Sequence, residues 1–107
     1  MKALQDASAA LLFSAGSALS QGLSPIQLAN SLATVIASEQ VCELVYDQAA
    51  IERWIDTNVD PSDIAFGARL QSYTSGISYN LRSVSGSALT AHCRIVENTA
   101  RYHGFLR

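Results

Sequence analysis

The sequence predicts an all-α protein, a compact bundle of four to five helices forming a single domain over residues 1–107. Three observations carry that prediction. Apolar residues recur at spacings of three and four in five separate segments, while no segment alternates polar and apolar as a half-buried strand does. Two cap-plus-proline pairs stand where helices start. Hydrophobic residues make up 49% of the chain and charged residues 15%, against about 25% charged in a typical domain. That balance excludes a disordered tail, and two prolines with six glycines exclude a low-complexity linker.

The first candidate helix runs from about Leu4 to Ser20, rich in alanine and closed by Gly22. Ser24-Pro25-Ile26-Gln27 is the clearest local signal. Serine caps, proline fits the first helical position, and glutamine three residues on reaches back to the cap amide. Leu28, Leu32, Val35 and Ile36 then share one face, giving a second helix from Pro25 to about Ser38. Glu39 to Asn58 also reads helical, as one helix or two joined near Asp47. Asp60-Pro61-Ser62-Asp63 resembles another helix start and introduces Phe66, Leu70, Tyr73, Ile77, Leu81 and Val84, so a helix is expected over Pro61–Val84. Gly76 is a candidate bend within it. The last helix is expected over Ala88–His103, stopping at Gly104.

Charge falls into three blocks. Ala7 to Ser38 is 32 residues without a charge. Glu39 to Asp63 holds Glu39, Glu43, Asp47, Glu52, Asp56, Asp60 and Asp63 against Arg53 alone. Ile64 to Arg107 holds Arg69, Arg82, Arg94, Arg101 and Arg107 against Glu97, and the whole chain is −2. Acids four apart on a helix repel by a few tenths of a kcal/mol, so two such rows cost stability unless a basic partner covers them. That partner is either the chain's own arginines or another macromolecule. The functional expectation is a small protein-binding module, an adaptor or inhibitor. It would dock an acidic ridge of Glu43, Asp47, Glu52, Asp56 and Asp60 onto a basic protein surface, with Trp54 as an anchor beside it. A narrower form has the ridge imitate nucleic-acid phosphates and block a nucleic-acid-handling enzyme. The uncharged block serves either as the intramolecular core or as a homodimer seam, with Ala7, Ala15, Ala18 and Ala33 allowing close helix approach.

Cys42 and Cys93 are 51 positions apart, with no CxxC spacing, and are expected to be reduced and buried. Lys2, the apolar stretch Ala9–Phe13 and the small residues Ser17–Ser20 loosely match an export leader, but Gln5 and Asp6 interrupt the pattern. No run is long enough to span a membrane, and a cytoplasmic setting is expected.

Catalytic motifs are lacking. His92 and Cys93 are neighbours, so on a helix they point about 100° apart and cannot pair as base and nucleophile. Neither His92 nor His103 has an acid three positions before it, and the glycines show no phosphate-loop spacing. No enzyme activity, cofactor or metal is expected. Two alternatives compete with docking. One is nucleic-acid binding through Arg82, Arg94, Arg101, Tyr102 and Arg107, against which the net acidity argues. The other is a small enzyme or metal protein using the cysteines and histidines.

Overall fold

The computed structural model describes residues 22–106, and within them the chain forms four helices. These are α1 (Pro25–Val41), α2 (Gln48–Asn58), α3 (Phe66–Leu81) and α4 (Gly86–Tyr102). The all-α expectation holds, and the candidate helix Leu4–Ser20 lies outside the described residues.

Helix α1 starts as its sequence predicts. Ser24 Oγ accepts from Gln27 N at 3.1 Å while Gln27 Oε1 accepts from Ser24 N at 2.9 Å, a reciprocal capping box with proline next to it. Its residues Ala29, Leu32, Ala33, Val35, Ala37 and Ser38 are buried, so burial extends around more of the helix than one stripe. Alanines spaced by four give the narrow side that lets α3 come close, and Ala37 shares a cleft with Ser78 and Leu81 of that helix. Ala33 is fully buried within the domain, so α1 acts as core. Ala7, Ala15 and Ala18, the rest of the expected homodimer seam, lie outside the described residues.

The end of α1 corrects the next expectation. It runs to Val41, past Ser38, so Glu39–Val41 closes α1, and of Glu39–Asn58 only Gln48–Asn58 forms a helix of its own, starting next to Asp47. Glu43 takes a left-handed φ of 56°, with its N–H donating to Gln40 O and Leu44 N–H to Glu39 O at 2.8 Å. That is a Schellman stop built on a glutamate where glycine is usual. Asp47 then caps α2 by accepting from Ala49 N at 3.1 Å.

The expected Pro61–Val84 helix is shorter, because Asp60 Oδ1 takes the N–H of Ser62 at 2.9 Å and its hydroxyl at 2.8 Å. This Asx turn satisfies the donor in a non-helical backbone, so α3 begins only at Phe66. Helix α3 continues through Gly76 without a break. Helix α4 ends in a second Schellman turn, with Gly104 at φ 81° and Phe105 N–H donating to Ala100 O at 2.8 Å. This turn drives Phe105 into the core, 1% exposed, and its carbonyl accepts from Asp47 N at 2.8 Å.

The core joins Ala29, Leu32 and Val35 of α1 to Tyr46, Ala50, Phe66, Ala100 and Phe105. Tyr46 donates its hydroxyl to Val35 O at 2.8 Å and its N–H to Glu39 Oε2 at 2.8 Å. Burial, with Glu39 adding to it, raises the Tyr46 pKa to about 12.

The cysteines overturn the expectation of free, buried thiols. Cys42, at the C-cap of α1, is disulfide-bonded to Cys93 in α4 across a Cα–Cα distance of 5.4 Å. The bundle lays the end of α1 beside the first half of α4, a proximity that a sequence separation of 51 gives no hint of. Four residues before Cys42, buried Ser38 ties the same two helices: its Oγ lies 2.8 Å from His92 Nε2 and donates to Thr34 O at 2.7 Å.

Candidate interaction surface

The acids singled out from the sequence occupy the last turn of α1, the α1–α2 loop, α2 and the turn after it. They do not form two regular rows. Glu39 turns inward to the Tyr46 amide, Glu43 is exposed in its left-handed turn, and Asp47 serves as a helix cap. The row survives only in α2, where Glu52 and Asp56 are exposed one turn apart. Asp60 is exposed beyond the C-terminus of α2. Its pKa is lowered by the Ser62 N–H and then by the Ser62 hydroxyl, so it stays ionised.

The chain's own arginines leave most of these acids uncovered. Among the described residues, ion pairs join Arg69 to Asp63 at 3.3 Å and Arg101 to Glu97 at 2.7 Å. Arg82 lies over the Tyr79 ring at 5.7 Å. Among the described residues, Glu43, Glu52, Asp56 and Asp60 have no cation within ion-pair range. Asp56 and Asp60 also stand at the negative end of the α2 dipole, so the helix adds to their field and gains nothing from them.

Trp54 is not in the acidic row. At about 100° per residue it points about 160° away from Glu52. It packs against the core instead. Its outer edge borders an open cleft of ≈ 350 Å³ with Ala50, Arg53, Thr57, Asn58 and His103. Asn58 donates to Trp54 O at 2.8 Å, and the His103 ring meets the indole edge-on at 6.2 Å. Burial lowers the His103 pKa, which favours the neutral imidazole. Arg53 and Thr57 lie between this cleft and the acidic face, so a partner seated on Glu52 and Asp56 reaches the indole only past a guanidinium.

No protein-family model, curated protein or solved structure matches the chain.

The disulfide removes Cys42 and Cys93 as metal ligands or nucleophiles. Among the described residues no group of three or more His, Cys, Asp or Glu could hold a metal ion. The Ser38–His92 pair is oriented against nucleophilic use. Ser38 spends its only hydroxyl proton on Thr34 O, leaving His92 Nε2–H as the donor between them. Serine is also fully buried, whereas an attacking hydroxyl needs a substrate beside it. Neither this pair nor the disulfide carries a local sequence signal, since both join residues more than 50 apart.

Proposed function

We propose that the domain works by binding a protein rather than by catalysis, presenting Glu52 and Asp56 of α2, with Glu43 and Asp60 at either end, to a basic surface. The observation that carries this reading is the pair Glu52–Asp56: two exposed like charges one turn apart, with no cation in ion-pair range among the described residues. Such a pair costs the isolated helix a few tenths of a kcal/mol, and a lysine-rich partner reverses the sign. Glu43 supports it independently. A non-glycine residue at φ 56° costs about 1–2 kcal/mol, and a glutamate there keeps an exposed carboxylate where glycine would be easier for the fold. Phosphate mimicry against a nucleic-acid-handling enzyme remains the narrower form of the same docking.

Direct nucleic-acid binding draws less support, since of its candidate residues Arg101 is engaged with Glu97 and Arg82 with the Tyr79 ring. Among the described residues no helix is long and apolar enough to cross a membrane. An oxidising compartment suits the disulfide better than the expected cytoplasmic setting.

A zero-length carbodiimide, which joins carboxylates only to amines in contact with them, tests the docking. Added to the oxidised protein in an extract of its source, it is expected to yield adducts whose linked peptides contain Glu52 or Asp56 bound to partner lysines. Adducts mapping elsewhere, or no adduct at all, would overturn the proposal.

A further inference from the structure

The disulfide gives new weight to the leader-like pattern at the start of the chain. A disulfide between two helices of a small domain persists in oxidising compartments and is rare in the cytosol. Entry into such a compartment requires an export signal. Residues 1–20 have the three parts such a signal needs. Lys2 supplies a basic residue at the start, Ala7–Gly16 is uncharged and rich in alanine and leucine, and small residues Ala18 and Ser20 occupy the third and first positions before Gln21. Gln5 and Asp6 interrupt the pattern ahead of Ala7, and the uncharged run begins after them.

From the disulfide and this pattern together we infer that residues 1–20 are an export leader, and that the remaining domain acquires the Cys42–Cys93 bond in the compartment it enters. A leader peptidase adds water across the Ser20–Gln21 amide, releasing the leader with a new carboxylate and the domain with a new amine. The two thiols then lose two protons and two electrons to a disulfide-bearing thiol oxidase, which leaves as the dithiol. The cut falls four residues before Ser24, so the capping box of α1 is untouched. This inference is independent of the acidic surface, because neither cysteine belongs to it.

The test expresses the full chain in a bacterial host with an oxidising periplasm, separates the fractions and measures intact mass after alkylation without reductant. The expected product is periplasmic, begins at Gln21 or its cyclised form, and takes up no alkylating agent. A Leu12→Asp variant, with the apolar core of the leader broken, is expected to stay full-length in the cytosol with both thiols alkylated. A C42S/C93S variant still reports processing if it fails to fold, because the leader is removed before folding is complete. Export with a retained N-terminus, or a processed protein with two alkylatable thiols, contradicts the inference. A wild-type chain confined to the cytosol does so as well.

Discussion

Removing the cross-link is the perturbation whose size can be worked out most directly. Cys42 and Cys93 are 51 residues apart. A loop of that length withholds about 4 kcal/mol of chain entropy from the unfolded state at 25 °C. Small domains are stable by only about 5–15 kcal/mol, so this bond supplies a large share of the total. The Ser38–His92 hydrogen bond joins the same helices but is worth about 1 kcal/mol and cannot substitute for it. Urea melts of oxidised, reduced and C42S/C93S protein should be followed by far-UV circular dichroism and by fluorescence of Trp54, the single tryptophan. Reduction is expected to lower stability by about 4 kcal/mol, or the melting temperature by about 15–30 °C. The denaturant slope should rise as well, because the unlinked chain exposes more surface when it unfolds. A loss below about 1 kcal/mol would refute the reasoning, showing that packing alone holds α1 against α4.

Three further outcomes follow from individual residues. Tyr46 ionises at about 12 in the fold against 10.0 when free, so its contribution is complete below pH 10 and is lost as pH rises from there to 12. Absorbance at alkaline pH should show one late-titrating tyrosine that Y46F removes. His103 is held below 6.5 by burial, so stability is lost as pH falls below that value, and an NMR titration midpoint at or above 6.5 would contradict the packing described. Replacing Glu43 by glycine should raise stability by about 1 kcal/mol in thermal melts while weakening partner capture. An unchanged or lower melting temperature would show that the left-handed turn is not strained.

How much of this was legible in the sequence varies element by element. The start of α1 could be read because Ser24, Pro25 and Gln27 act on one another within four residues, and the end of α4 because Gly104 is the residue a left-handed stop favours. Asp60-Pro61 misled because an Asx turn and a helix cap use the same residue types, and only backbone conformation tells them apart. The end of α1 was obscured by a glutamate at a glycine position. Within the ridge, Glu52 and Asp56 were readable because one helix carries both. Glu39, Glu43 and Asp47 shared that spacing without sharing a helix. Trp54 faces the core because the apolar side of α2 includes Ala50, Ile51 and Ile55. The disulfide and the Ser38–His92 bond depend on how whole helices cross, which no local pattern encodes.

The most direct measurement is the salt dependence of affinity between the oxidised domain and the partner that carbodiimide traps, for wild type and E52Q/D56N. Neutralising both carboxylates is expected to weaken wild-type binding at least about tenfold at low salt and to flatten its decline as salt rises, the signature of complementary charge. Equal affinities and equal salt slopes for the two proteins would mean that the exposed face of α2 is not where the partner docks.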